Sequence, residues 1–418
     1  MKILANVIFI CLLLTNCSNN NSHIKNKPKN DTAINDIIYK KGVFGFDVQL
    51  FEAKKNAIIL SSDNDSYILV SENYQARVMC STANGFEGKS YGWLNYEAIA
   101  SDKINQHINP YGGEDRFWLG PEGGQFSIFF AKDTPFEFEY WQTPKEIDSE
   151  PFSLISQSAS EAKFEKEMKL VNYSGTVFNI LVNRNITTLT KSEVEEKLNI
   201  DIDNTVHLVA FQSENTITNT GENSWTKQTG ALSIWILGMF APSPSTVVVI
   251  PCNESDKAGT DEVVNDNYFG KVPPDRLKIE DNVVYFKGDG KQRGKIGLPA
   301  GRATSIIGSY NIEDKLLTIV EYSLSESTDY VNSMWKIQEN PFSGDVVNSY
   351  NDGPLEDGNQ LGPFYELETS SPAAFLKPHE KQVHIHRTYH FVGNEDKLNK
   401  IVNTVLKTSI EKIKNIFD

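Results

Sequence analysis

Two short segments near the C-terminus carry side chains able to move protons. In FYELETS (364–370) the carboxylates Glu366 and Glu368 stand two positions apart, and in VHIHRTYHF (383–391) His384, His386, Thr388 and His390 recur with the same period. Side chains alternate faces along a strand, so Glu366 and Glu368 share one face of the first segment and the histidines share one face of the second. Consecutive strands are often neighbours, and if these two pair, carboxylates and imidazoles meet on one face. Such a group can take a proton from one oxygen and deliver one to another near neutral pH. Two other readings stay open: a divalent-cation site built from three imidazoles and two carboxylates, and a satisfied, half-exposed sheet face.

The elements that must position these residues are mostly strands. GFDVQLFEA, AIILSS, SYILVS, ARVMCST, QFSIFFA, FEKEMKLVN, VFNILVNRNITTL, HLVAFQSENTITN, ALSIWIL, STVVVIPC, NVVYFKG and KLLTIVEYSL join the two late segments as short runs rich in Val, Ile, Phe and Tyr. They are separated by Gly, Asn, Asp and Pro, which implies an all-β, antiparallel architecture. TKSEVEEKL carries a capping box from Thr190 to Glu193 and reads as one short helix. In the tail, Leu398, Ile401, Val402, Val405, Leu406, Ile410, Ile413 and Phe417 fall at helical spacing, which predicts an amphipathic helix over 394–418 docked on the sheet. No repeat or linker interrupts residues 45–393, so that span is read as one large sandwich domain.

The N-terminus gives a compartment. Met1 and Lys2 precede the apolar run ILANVIFICLLL, and LLTNC ends at Cys17, with Asn16 where a small residue is usual. Residues 1–16 read as a secretory signal, too short to span a bilayer, and Cys17 as the lipidated first residue of a bacterial lipoprotein. Residues 17–44, opening with the polar SNNNSHIKNKPKNDT, read as a flexible tether. The expected location is the cell envelope, lipid-anchored, on the outer membrane facing the periplasm. With 40 basic and 55 acidic residues the formal charge is −15, which argues against a nucleic-acid partner and leaves the acyl group on Cys17 as the sole expected membrane contact. Cys80 and Cys252 either pair or lie buried as free thiols, and no CxxC spacing supports a cysteine-bound metal.

RFWLGPEGGQ, GKQRGKIGLP, YNDGP and the late FYELETSSPAAFLKPHEKQVHIHRTYHF resemble uncharacterised lipoproteins of Bacteroidota-type bacteria, which are themselves similar to the galactose mutarotase-like supersandwich superfamily. The resemblance covers most of 45–393. It implies a broad antiparallel β-supersandwich with a concave sugar-binding face, and an aldose-epimerase-like or lyase-like chemistry. Aldose epimerases use a His acid and a late Glu base, which implies Glu366 and His386 as catalytic residues, with Glu368, His384 and His390 as substrate contacts. The rival expectation is a noncatalytic glycan-binding or structural lipoprotein of the same fold. No cofactor and no metal is assigned.

The stretch GGEDRFWLGPEGGQFSIFF (112–130) contributes the other candidate contacts. Its glycines permit tight turns, but Arg116, Trp118, Glu122 and Gln125 need a further reason. A flat indole stacks on the apolar face of a pyranose, while Arg, Glu and Gln discriminate hydroxyl patterns. The alternative places Trp118 in the core and pairs Arg116 with Glu114 or Glu122. GDGKQRGKIGLP is no phosphate loop, since Ile296 follows Gly294-Lys295 and Asp289 stands where a Walker glycine belongs; it reads as a hairpin presenting Lys291 and Arg293, with Arg293 a candidate contact to an acidic sugar. No GxSxG elbow is present, and two carboxylates two apart on one strand do not make the opposed pair of a glycosidase.

Overall fold

The computed structural model describes residues 37–418 except 55, 64, 102, 255–262 and 356–357. The expected signal segment, Cys17 and most of the tether lie outside the described residues. Contacts divide the chain into Met1–Ile38 and Tyr39–Asp418. The first unit is described only at Ile37 and Ile38, both exposed; everything below concerns the second.

Helix α1 (Phe44–Ala53) opens this unit and corrects two expectations. GFDVQLFEA was expected as a strand, but Phe44, Val48 and Phe51 are spaced by four and three and bury one helical face. The expected tether also ends early, because Val43 already bridges to Lys89 and Phe44 is fully buried.

Strands β1 (Ile58–Asp63), β2 (Ser66–Ser71) and β3 (Arg77–Thr82) form a small sheet. Helix α2 (Tyr96–Ser101), strand β4 (Arg116–Gly120) and helix α3 (Lys145–Asp148) follow. QFSIFFA, expected as a strand, is a succession of turns, whereas RFWLG within the glycine-rich stretch is strand β4. A meander of β5 (Ser153–Gln157), β6 (Glu161–Val171), β7 (Val177–Thr188) and β8 (His207–Asn219) comes next, with helix α4 (Lys191–Leu198) before β8. The Thr190–Glu193 capping box is formed. The remaining strands are β9 (Ser233–Phe240), β10 (Val247–Pro251), β11 (Leu277–Glu280), β12 (Val283–Lys287), β13 (Gly294–Pro299) and β14 (Ile306–Asn311). They are followed by β15 (Leu316–Tyr322), β16 (Asp345–Asn351), β17 (Tyr365–Ser370) and β18 (Lys381–Val392).

Ten strands pair in the order β11-β12-β10-β14-β15-β18-β8-β7-β6-β5, and five in the order β13-β16-β17-β9-β4. Every ladder between these strands is antiparallel. The protein is therefore an all-β antiparallel sandwich with a few short helices. The sheets pack face to face, Phe164, Val182 and Phe211 against Phe117, Ile234 and Ile236 at one end, and Val248, Ile307 and Val320 against Ile296, Val347 and Leu367 at the other. The tail is two helices rather than one, α5 (Glu395–Val405) and α6 (Ile410–Asn415), separated where Lys407 adopts φ +57°. Their apolar stripe covers the other side of the ten-stranded sheet at Val249, Tyr285, Leu317, Tyr389 and Phe391, as the spacing requires. Cys80 and Cys252 are buried free thiols in different core clusters, so they do not pair.

Candidate functional site

The five-stranded sheet turns one face to the core and the other outward, and alternation assigns the side chains. On β17, Tyr365 and Leu367 enter the core, so Glu366 and Glu368 point out. Register places Glu366 opposite Met239 of β9 and Tyr350 of β16, and Glu368 opposite Leu237 and Asn348. At the sheet edge Arg116 lies opposite Leu237, and Trp118 opposite Trp235. On the far side Lys295 of β13 lies opposite Tyr350.

Although this is an outer face, overlying loops bury it. Glu366 is 6% exposed and Glu368 is fully buried. Arg116 donates from Nη2 to Glu366 Oε1 at 2.9 Å. Lys295 donates from Nζ at 2.8 Å, and Trp235 from Nε1 at 3.0 Å, to Glu368 Oε2. Three polar atoms of the face are buried and unpartnered among the described residues: Glu368 Oε1, Trp118 Nε1 and Arg116 Nε. Unpartnered atoms of this kind are unusual in a native interior and mark where a ligand or water belongs.

Burial drives the electrostatics. Desolvation pushes the Glu366 carboxyl up to about 8, with Arg116 opposing and Glu368 reinforcing the rise. Burial likewise raises Glu122, against the pull of Lys295. For Lys295 burial acts downward, but Glu368, Glu122 and Glu366 outweigh it and hold the ammonium charged. A neutral carboxyl thus sits two residues from a second carboxyl group that accepts from an ammonium and an indole N–H. Such a pair can supply one proton and take another.

Beside this pair is a cavity of about 20 Å³, walled by Trp235, Lys295, Tyr268, Asp345, Asn348 and Ser333 among others. It has room for about one water. Tyr268 donates to Asp345 Oδ2, and Asn348 Nδ2 donates to the Tyr268 hydroxyl at 3.2 Å.

The structure brings Arg116, Glu366 and Glu368 together, with Trp118 and Glu122 beside them. Trp118 corrects one expectation: it is 3% exposed, and the Arg116 guanidinium covers its ring at 4.3 Å, so no face is free for a pyranose. Gln125 spends its amide on the backbone of Gln338, donating to its O at 2.8 Å and accepting from its N at 3.0 Å. Arg293 is exposed and stacks 3.9 Å over Phe269.

The histidines are not on this face. β18 belongs to the other sheet, so the expected meeting of carboxylates and imidazoles on one face does not occur. His384, His386 and His390 are fully buried between the sheets, not half-exposed. The Thr369 hydroxyl lies between them and β17, 2.8 Å from His384 Nε2 and 2.9 Å from His386 Nδ1. Thr369 and Glu368 are adjacent on β17 and point oppositely, which puts Glu366 and His386 on opposite sides of that strand. Burial lowers His384 and His386 to about 3, so both are neutral near pH 7 and neither is an imidazolium acid. His390 Nε2 donates to Glu114 Oε2 at 2.8 Å. Among the described residues no three His, Cys, Asp or Glu side chains converge closely enough to hold a metal ion.

Sequence reasoning missed Lys295, Trp235, Tyr268, Asp345 and Asn348. GKIGLP alternates Lys295 against Ile296 and Leu298, a strand signal for Lys295 that its place after a glycine-rich turn obscures. Trp235 sits in an unbroken apolar run, and nothing in the sequence distinguishes its face.

A sequence model described as "Family of unknown function (DUF6786)" matches residues 42–417. The chain belongs to the DUF6786 family. A comparison of this DUF6786 chain with curated proteins finds no match. Among solved structures it is similar to the Slr1438 protein from Synechocystis sp. PCC 6803, at 10% identity over 81% of this chain and 96% of that one, TM-score 0.47. It is also similar to a protein described as a candidate aldose 1-epimerase from Escherichia coli K12, at 12% identity over 80% and 98%, TM-score 0.47. A galactose mutarotase-like protein from Lactobacillus casei ATCC 334 shares 9% identity over 80% and 99%, TM-score 0.45.

Proposed function

We propose that the outer face of the five-stranded sheet is a carbohydrate site where Glu366 and Glu368 exchange protons with a sugar, in the manner of an aldose epimerase. The observation that carries this is the pair itself: two buried carboxyls on one strand face, Glu366 held neutral by burial with Glu368 reinforcing it, and Glu368 accepting from Lys295 and Trp235 at Oε2. Epimerising an anomeric centre needs a proton removed from one oxygen and supplied to another. Glu368 Oε1 is the acceptor and Glu366 the donor, so the acid expected of His386 passes to Glu366. Arg116 positions Glu366, and Lys295 stabilises the charge on Glu368. A lyase-like reaction fits less well, because both cations beside the pair are already committed to its carboxylates.

The anchor and location remain within the proposal on sequence alone: an acyl group on Cys17 and a tether hold the domain at the envelope. A panel of mono-, oligo- and acidic saccharides, scored for thermal shift and for products by NMR in the same tubes, tests the whole. Anomeric exchange faster than buffer supports the enzyme; stabilisation with no turnover favours a glycan-binding lipoprotein; no response to any saccharide removes the carbohydrate reading.

A further inference from the structure

The site just described is closed, and what closes it has the construction of a movable element. From Ser323 to Gly344 the chain forms no strand or helix, a stretch of 22 residues. Loops that long inside a compact domain usually have a function. Its second half is tied at the neck: Tyr330 N donates to Phe342 O at 3.0 Å, Gly344 N to Tyr330 O at 2.9 Å, and Asn332 N to Pro341 O at 2.9 Å. Beyond this neck, residues 333–340 form a tip whose ends lie close together, the form of an Ω-loop. Val331 and Ser333 wall the cavity beside Lys295.

The tip rests on one turn, Pro121–Gln125. Glu122 N donates to Ser333 Oγ at 3.2 Å, and Trp335 Nε1 donates to Glu122 Oε1 at 3.2 Å. The Gln125 amide and the Gln338 backbone clasp each other at 2.8 and 3.0 Å. The glycines of GPEGGQ are what allow this seating. A Cβ on Gly123 would stand 2.5 Å from Met334 O, and one on Gly124 2.6 Å from Gln338 Nε2. Trp335 completes the contact by stacking on Trp141 at 5.8 Å and meeting Phe130 edge-on at 5.1 Å. The tip's outer side stays wet, with Ile337 62% exposed.

We infer that residues 330–344 are a lid, hinged at the Tyr330–Phe342 neck and seated on Gly123 and Gly124, that lifts to admit the ligand to Glu368 and Lys295. This rests on the reading of that face as a ligand site. A cavity with room for one water excludes a sugar while the lid is down, and the tip is seated by hydrogen bonds and ring contacts to loop residues, which can open without breaking a ladder of either sheet.

The test needs no sugar. Ser233 lines the cavity and is 1% exposed, so Ser233→Cys reports access through its rate of alkylation, read by peptide mass spectrometry. Adding Gly123→Ala, which props the lid, should raise the rate at position 233 by about tenfold while hydrogen exchange in β17 stays unchanged. A Gln125→Cys/Gln338→Cys disulfide should suppress alkylation, and reductant should restore it. Equal rates in the propped, stapled and parent proteins overturn the lid. A lid that opens in this test while no saccharide of the panel shifts the melting of the parent or the propped protein would leave the lid standing and remove the carbohydrate reading instead.

Discussion

Arg116 and Glu366 join the edge of the five-stranded sheet to its centre, Nη2 to Oε1 at 2.9 Å, and the two residues before Arg116 both reach the ten-stranded sheet. Glu114 accepts from His390 on β18, and Asp115 pairs with Arg184 on β7. Three consecutive charged side chains therefore tie the outer face and the ten-stranded sheet to one strand entry. Breaking a buried pair on one side strands a charge, whereas removing both sides does not. Glu366→Leu, which leaves the Arg116 guanidinium buried without its acceptor, should cost about 3–5 kcal/mol, and Arg116→Met/Glu366→Leu should recover much of that loss, measured as urea midpoints in a double-mutant cycle.

The glycines ahead of this hub are required by its backbone. Gly112 has φ +91°, and a Cβ there would lie 2.0 Å from Trp93 O. Its carbonyl also accepts from buried Arg77 at 2.7 Å. Gly112→Ala should destabilise by about 3 kcal/mol or more, while Gly175→Ala, where a Cβ meets nothing, should cost only the strain of its φ, about 1 kcal/mol. Chemical denaturation of the two variants side by side checks the difference.

Two buried histidines set an acid limit. Unfolded, His384 and His386 bind protons near pH 6.5; folded, not until about 3. Their contribution is complete above about 6.5 and is lost as pH falls toward 3. Glu366 acts oppositely: raised to about 8, its contribution is present below about 4.5 and lost as pH rises toward 8. Glu366→Gln removes the opposing slope, so its stability should climb more steeply than that of the parent between about pH 5 and 7. Urea midpoints at three pH values in that range decide it, and the His384 and His386 ring resonances should keep their neutral shifts throughout.

Trp118 and Trp235 face each other edge-on, 5.6 Å apart, yet they differ in role. Trp118 lies under Arg116, and its N–H has no partner among the described residues; Trp235 gives its N–H to Glu368. Trp118→Phe should change stability and leave saccharide turnover within about twofold, whereas Trp235→Phe should lower turnover by about tenfold by freeing the carboxylate. Steady-state exchange rates for both variants, compared with their melting temperatures, separate the two roles.

The strand pattern made much of this fold legible. Period-two alternation in FYELETS and VHIHRTYHF sorted the side chains of each strand into two faces, and both partitions hold. Adjacency misled: β17 and β18 are consecutive but lie in different sheets, and no local signal states which sheet a strand joins. The face of β18 read as polar and half-exposed is a buried polar core in which Thr369, Thr318 and Glu114 meet the imidazoles, while His386 Nε2 and Thr388 Oγ1 have no partner among the described residues. GFDVQLFEA departs from expectation because its composition favours a strand while its spacing favours a helix, and burial followed the spacing. Lys295, Tyr268 and Asp345 were invisible because they become a group only through β13–β16 pairing.

The measurement closest to the central claim is anomeric exchange of free hexoses followed by NMR magnetisation transfer, with the parent protein and Glu368→Gln compared at matched fold and concentration. The parent should exceed the buffer rate for at least one hexose, and Glu368→Gln, which keeps the shape but cannot accept the proton, should fall about 10²–10⁴-fold below it. Exchange at the buffer rate for every hexose, or equal rates for parent and variant, would contradict proton transfer at this pair.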